Sequence, residues 1–349
     1  MPSADGTVAV VVVTWNSSKV IKGMLDSLPH GLEGVDWHLN VVDNDSADET
    51  VEIVERWATE HPDVRCRQVG TGYNAGYSIA INTGLAHAEP YTAALVLNPD
   101  LRLHAGCARV LLDALEREPG TGIAVPLLYD EHNGLSLSLR REPTVLRAFG
   151  EAVLGARAGR LSMLGEVIRD ERHYRKQTVV DWATGAAMLI SAQCLAESGP
   201  WDESFFLYSE ETEFALRARD HGYLTRLVPE ASAVHIGGEG DVSPALWTLM
   251  TLNRVRFYRR RHSLPASAVY WSATLLRELP RAALGRPRSR GAARALLSPG
   301  RFRAIPAPRP GPSKSGPPQP MPSEPPQPPQ PPRSEPSQST TTGSPPPGH

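Results

Sequence analysis

Five short apolar runs, Val8–Val13, Leu39–Val42, Val64–Val69, Ala93–Leu97 and Ile123–Pro126, punctuate the first 127 residues and read as strands. Between them Ser18–Leu28, Ala47–Thr59, Ala75–Ala88 and Ala105–Glu116 read as helices, some with Ser, Asp or Asn near their starts. Strand–helix alternation of this kind predicts an α/β fold whose mostly parallel sheet is covered on both faces. Each of the first four runs gives way to a polar turn. Thr14-Trp15-Asn16 follows the first, Asp43-Asn44-Asp45-Ser46 the second, Gly70–Tyr77 the third and Asn98-Pro99-Asp100 the fourth. In an open α/β sheet these turns share one edge, so they line a single crevice.

The fourth turn carries the most chemistry. A buried strand ends at a Pro that presents one carboxylate, Asp100. Magnesium-type sites hold the ion with one or two protein carboxylates and leave the remaining positions to substrate phosphates. Asn-Pro-Asp is also an ordinary turn, so the weight comes from the three other segments at the same edge. The stretch Gly70-Thr71-Gly72-Tyr73-Asn74-Ala75 satisfies a dinucleotide fingerprint in letter only. That fingerprint needs an acidic residue about twenty positions on, at the end of the next strand, to hold a ribose. Here that distance reaches Glu89, in the loop before Pro90 and ahead of the strand.

Composition divides the chain. Of its 33 prolines, 18 lie between Pro306 and His349, among Gln, Ser and Gly without periodic apolar residues. Such a segment buries too little to offset its ordering entropy, so 301–349 reads as a disordered tail of polyproline II character. The net charge of −2 hides 20 Lys and Arg against 35 Asp and Glu through Ser243, a balance of −15, and +13 beyond it. The positive charge concentrates between Arg254 and Arg294, where Tyr270, Trp271, Leu275 and Leu276 sit among the arginines. A basic helix carrying such residues suits an anionic membrane face, and a solvated helical appendage explains it as well. No nucleic-acid recognition motif accompanies the charge, which argues against a nucleic-acid partner. Cys66, Cys107 and Cys194 are scattered and lack metal-ligand spacing, as expected of small core residues in a reducing compartment. No basic n-region precedes Val8–Val13, and the run is too short for a span, so the expectation is a cytoplasmic protein that touches the inner membrane face at most.

Val11-Val12-Val13-Thr14-Trp15-Asn16, Val41-Val42-Asp43-Asn44-Asp45-Ser46, Asn74-x-Gly76-Tyr77, Asn82-x-Gly84 and Asn98-Pro99-Asp100 together resemble the family 2 glycosyltransferases of GT-A fold, nearest their bacterial rhamnosyltransferase-like branch. The likeness continues through Gly185–Ile190, Trp201–Glu213, Val234-His235 and Asn253-Arg254, covering about residues 8–260 in the family's order. It implies a GT-A domain over 1–243, with a nucleotide-binding half to about 127 and an acceptor half over about 179–243, then a basic helical segment to 300. Residues 129–178 carry little signal.

The resemblance also assigns roles. Asp43 would accept from the pyrimidine base of a nucleotide-sugar, with Thr14, Asn16 and Asp45 beside it and Asn74, Gly76, Asn82 and Asn98 bracing the nucleotide. Capping a turn or helix explains Thr14 and Asn82 equally well. Asp100 and His235 would hold Mg2+ or Mn2+, imidazole favouring manganese. Trp201, Asp202, Glu210 and Glu213 would shape the acceptor side, and Glu211 would be the general base. A structural reading stands beside this one: Ser209 caps a helix, acids suit its first turn, and Glu213 pairs with Arg217. The reaction implied is inverting transfer of a sugar, rhamnose from dTDP-rhamnose for this branch, to a hydroxyl of a cell-envelope glycan or lipid-linked saccharide. The alternatives are a nucleotidyltransferase, which would release pyrophosphate, and a non-catalytic member of the fold acting as a binding or scaffold protein.

Overall fold

The computed structural model describes residues 6–237, 242–298 and 300; the expected Pro-rich tail, 301–349, lies outside the described residues. Strands β1 (Val8–Thr14), β2 (Trp37–Asp43), β3 (Cys66–Gly70) and β4 (Ala93–Leu97) alternate with helices α1 (Ile21–Gly31), α2 (Thr50–Glu60) and α3 (Tyr77–Ala86). The Asn98-Pro99-Asp100 turn then feeds the short β5 (Leu101–Leu103), α4 (Cys107–Arg117) and β6 (Thr121–Tyr129). Every strand and helix expected in this half forms, with ends within three residues of those read from the pattern.

The silent stretch after Tyr129 holds β7 (Leu139–Arg140), α5 (Val145–Leu154) and two 3-10 turns, followed by β8 (Thr178–Val180) and β9 (Trp182–Ala183). Next come β10 (Ala187–Ser191), α6 (Ala192–Ser198), α7 (Glu210–Asp220) and β11 (Leu224–His235). The main sheet runs β3-β2-β1-β4-β10-β6-β11-β5, with β8 on β11, while β7 and β9 form a separate pair. Six of its nine strands point one way; β5, β8 and β10 oppose them. This is a GT-A arrangement, with the order reversing between β1 and β4.

Side chains alternate across each strand, so β1 serves two cores. Val8, Val10 and Val12 pack with α1, α2 and α4 on one face. Ala9 and Val13 pack with Ile81, Trp201 and Phe214 on the other. Burial on both faces is why these strands read as unbroken apolar runs.

Three helices close the described chain: α8 (Pro244–Arg261), α9 (Leu264–Ala283) and α10 (Pro287–Leu296). Each has Pro in its first two positions, where a missing N–H costs nothing, and Ser243 Oγ caps α8 by accepting from Leu246 N–H at 3.2 Å. They pack with α5 around Leu252, Val255, Tyr258, Tyr270 and Leu296. Tyr270 stacks on Tyr258 with centroids 4.0 Å apart, and Trp271 Nε1–H donates to Leu296 O at 3.2 Å. These aromatics therefore build a helical core, which corrects their reading as membrane-interface residues. Five arginines of the segment also turn inward. Arg254 meets Glu166 and Glu151, Arg277 meets Glu151, Arg260 meets Asp202, Arg261 meets Asp220, and Arg256 donates to Ser204 O. Among the described residues no helix is long and apolar enough to cross a membrane.

Breaking this network from one side leaves Glu166 and Glu151 without their shared cation. Arg254→Met is expected to cost about 3 kcal/mol, the lower end for a half-broken buried pair, read as a fall in the urea midpoint at unchanged slope. An unchanged midpoint would show that the network contributes nothing net.

Candidate active site

Register brings the polar turns together. Thr14 pairs with Asp43 across β1 and β2, and Asp43 pairs with Gly70 across β2 and β3. Asp43 Oδ1 accepts from Thr14 Oγ1 at 2.7 Å and Ser46 Oγ at 2.6 Å, and its Oδ2 from Ser46 N–H at 2.8 Å. Asn16, at φ +50°, accepts from Ala47 N–H through Oδ1 at 2.8 Å. Asp45 is exposed at φ +60°. Between Thr14 and Asn16 stands Trp15, 55% exposed. It is an aromatic platform that the sequence reading passed over, and its isolation after a wholly buried strand was the available signal.

The third turn is stitched to the second half of the domain. Asn74 Oδ1 accepts from Gly76 N–H at 3.3 Å, and Asn44 Nδ2–H donates to Gly76 O at 3.2 Å. Gly76 sits at φ +87°, and a Cβ there would lie 2.5 Å from Phe206 O, so only glycine fits. Asn82 accepts from Trp201 N–H at 2.9 Å and donates to Trp201 O and Glu203 Oε1, each at 3.0 Å. Its amide is taken up in joining α3 to the 201–203 turn, which corrects its expected place in the nucleotide pocket. Trp201 is likewise 1% exposed and stacked on Phe214 at 4.6 Å. Its ring has no surface to offer an acceptor; it is core. Asp202 is tied to Ser204 and Arg260.

The carboxylate and histidine expected to hold an ion do meet. Antiparallel pairing of β5 with β11 sets His235 opposite Leu101, and Ile236 N–H donates to Asp100 O at 3.0 Å. Asp100 Oδ1 then lies 3.3 Å from His235 Nε2. The residue after Ile236 must be small, because a Cβ on Gly237 would stand 2.1 Å from Asp100 Oδ2. Among the described residues no third His, Cys, Asp or Glu joins this pair. One carboxylate and one imidazole fit a divalent ion whose remaining positions are filled by substrate phosphates.

Helix α7 begins with the acidic cluster. Glu213 pairs with Arg217 at 2.9 Å, as its spacing suggested. Ser209 does not cap: Tyr208 and Ser209 both lie in the left-handed region, φ +68° and +75°, and Ser209 makes no side-chain cap bond. Two such residues in succession are costly, on the order of 1–3 kcal/mol each, and need external support. Helix α8 gives it: buried Asn253 donates through Nδ2 to Leu207 O at 2.9 Å and Tyr208 O at 3.2 Å. Glu210 is buried at 3% exposure, and burial followed by the charge of Glu211 pushes its carboxyl well above the usual range.

Asp100, His235, Asn98, Glu210 and Glu211 line one cavity of about 1030 Å³. Tyr77, given no role in the sequence reading although part of its third turn, stands among them. Its hydroxyl donates to Asn98 Oδ1 at 2.8 Å, and burial, then the charges of Glu210, Glu211 and Asp100, push the phenol well up.

The sheet order and the cavity at its carboxyl edge define the class of fold first: an α/β domain of GT-A type. The model of the family described as "Glycosyl transferase family 2" matches residues 9–176. The N-acetylglucosaminyl-diphospho-decaprenol L-rhamnosyltransferase of Mycobacterium tuberculosis is 30% identical over 236 residues, covering 65% of this chain and 75% of that protein. Rhamnosyltransferase WbbL of Escherichia coli K12 is 24% identical over 241 residues, covering 65% and 83%. In fold the chain is similar to a mannosyltransferase from Pyrobaculum calidifontis solved with GDP-Man and Mn2+, at TM-score 0.53 and 18% identity over 87% of this chain and 84% of that one. The chain belongs to glycosyl transferase family 2. It is an inverting glycosyltransferase, which displaces the nucleotidyltransferase and non-catalytic alternatives.

Two outcomes are expected from this geometry. Asn253→Leu should release the 207–208 turn, lowering turnover at least tenfold while nucleotide affinity stays within about twofold, as transition-state geometry is lost before ground-state binding. Full activity in that variant would separate α8 from catalysis. Glu210 has a folded pKa above its ordinary value of 4.5, so its stabilising contribution is complete below that value and lost as pH rises through the folded pKa. Thermal melts should therefore show Glu210→Gln gaining on the parent protein as pH rises; a pH-independent difference would overturn the assignment.

Proposed function

We propose that the enzyme transfers rhamnose from dTDP-rhamnose to a hydroxyl of a lipid-linked saccharide in cell-envelope glycan synthesis. Two relatives named as rhamnosyltransferases support the sugar, and the diphospho-decaprenol acceptor in the name of one supports the acceptor class. Residues 1–243 form the catalytic domain and 244–300 a helical segment that braces it. That segment also leaves Leu264, Leu276, Leu279 and Leu284 exposed, which supports contact with an anionic membrane surface.

The observation that carries the reading is that Glu211 lines the same cavity as Asp100 and His235. Asp43, Thr14, Asn16 and Asp45 border the base, with Trp15 as its stacking face, while Asn74, Gly76 and Asn98 shape the nucleotide side. Asp100 and His235 would hold Mg2+ or Mn2+, an ion that would supply positive charge to offset that of the departing nucleoside diphosphate. Glu211 takes the proton of the acceptor hydroxyl as its oxygen attacks the anomeric carbon from the face opposite the leaving group. Glu210 is buried and its carboxyl raised, so of the two neighbouring glutamates Glu211 is the one assigned as base. Glu213, bound to Arg217, holds the first turn of α7.

The test is release of nucleoside diphosphate and formation of glycosylated acceptor. Glu211→Gln should lower turnover by about 10²–10⁴-fold at nearly unchanged donor affinity, since it removes the basic oxygen and little else. Asp100→Asn should abolish metal-stimulated donor binding. Parental turnover in Glu211→Gln would reduce Glu211 to a helix-start carboxylate. Donor binding and turnover insensitive to both Asp100→Asn and chelator would remove the metal.

A further inference from the structure

The cavity that holds Asp100 and Glu211 does not end with them. It extends to a second end lined by arginines from three elements: Arg169 from the loop before β8, Arg277 and Arg281 one turn apart on α9, and Arg286 at the start of α10. Buried carboxylates neutralise only the floor of this end. Arg254 and Arg277 share Glu151, at 3.4 and 3.3 Å, and Arg254 also meets Glu166. Among the described residues Arg169, Arg281 and Arg286 pair with no carboxylate. Burial, then the neighbouring guanidinium of Arg254, hold Arg277 below its ordinary value.

The cavity thus has an acidic end, where the base and metal ligands stand, and a basic end with uncompensated positive charge. Its volume of about 1030 Å³ is at the upper limit for a cleft serving one small ligand, as two substrates require. The rim beside the basic end is apolar. Gly155 lines the cavity, and a Cβ there would lie 3.7 Å from Arg281 Nη2. Its neighbours Val153 and Leu154 are 74% and 41% exposed, and Leu284, one turn beyond Arg281, is 81% exposed.

We propose that this basic end is the subsite for a diphosphate group on the acceptor, with Arg281, Arg286 and Arg169 as its ligands and the Val153–Leu154–Leu284 rim receiving the first units of the attached lipid. Guanidinium groups grip phosphate oxygens through paired, charge-assisted hydrogen bonds, and the carboxylates at the other end repel the same group unless a cation intervenes. A diphosphate anchored here directs the sugar it carries toward Glu211. The donor diphosphate belongs to the Asp100–His235 end. The proposal rests on the transfer reading above and adds to it what the enzyme recognises in its acceptor.

The experiment uses the full chain and two soluble acceptors with the same sugar, one on a short prenyl diphosphate and one on a short alkyl chain. Arg281→Ala and Arg286→Ala should each raise KM for the diphosphate acceptor about tenfold, the loss of one hydrogen bond to a charged group, and more when combined. Donor KM and kcat at saturating acceptor should stay within twofold, and the alkyl acceptor should bind weakly and indifferently to all variants. Arg259→Ala, an exposed arginine outside the cavity, serves as the control for bulk charge and should change nothing. Calorimetry with inorganic pyrophosphate in EDTA, which silences the metal end, should give binding that the double variant loses. Equal KM for the two acceptors, or pyrophosphate binding unchanged in the double variant, overturns the subsite while leaving the transferase intact. Failure to release nucleoside diphosphate with either acceptor overturns the transfer reading instead, and the pyrophosphate titration still decides the subsite.

Discussion

Strand register is the constraint on which this molecule depends. A one-residue slip in a sheet moves every side chain to the opposite face, and here both faces are buried. Slipping β1 against β2 would drive Val8, Val10 and Val12 out of one core and part Thr14 from Asp43 in the same movement. At the other margin the pairing of β11 with β5 sets His235 beside the Asp100 turn. Packing and chemistry are thus fixed by the same hydrogen bonds. The site needs no separate device to bring its parts together, because the turns emerge where the ladders stop.

What register cannot supply is the α7 end of the cavity, which arrives on a turn with two left-handed residues and a buried carboxyl. Both features are unfavourable alone. The turn is held from outside by Asn253, by Arg256 on Ser204 O, and by the contact of Phe257 with Phe205 and Leu216. The C-terminal helices are therefore what holds the turn before α7, and not an appendage. Their inward arginines explain how a segment so basic packs on a domain so acidic: much of the charge difference is consumed between them.

This division matches what could be read from the chain. The elements of the first half were legible because doubly buried strands leave unbroken apolar runs and the turns between them are polar. That Asp100, His235 and Glu211 would share one cavity was legible because each stands where an element begins or ends. Trp201 and Asn82 were misplaced because a motif records residue identity and not the direction a side chain takes. Ser209 failed as a cap because the left-handed backbone overrode the local rule. Tyr77 and Asn253 left only faint signals, a phenol after a glycine turn and an amide inside a helix, since their value lies in contacts over a hundred and about forty-five residues away. Residues 129–178 were opaque because their elements are short, and α5 finds its partner in α9, far along the chain.

Charge counting failed in an instructive way. Sequence totals treat every arginine of the C-terminal segment alike, whereas the fold separates six of them into three groups. Arg260 and Arg261 pair with carboxylates on the neighbouring domain surface, Arg254 and Arg277 neutralise buried glutamates, and Arg281 and Arg286 keep their charge facing a cavity. Of these three groups the last has the most electrostatic free energy left to give to a ligand, because a guanidinium already paired must first surrender its partner. Under the proposed subsite the paired arginines are matters of stability and the unpaired ones matters of binding, a distinction that composition alone cannot draw.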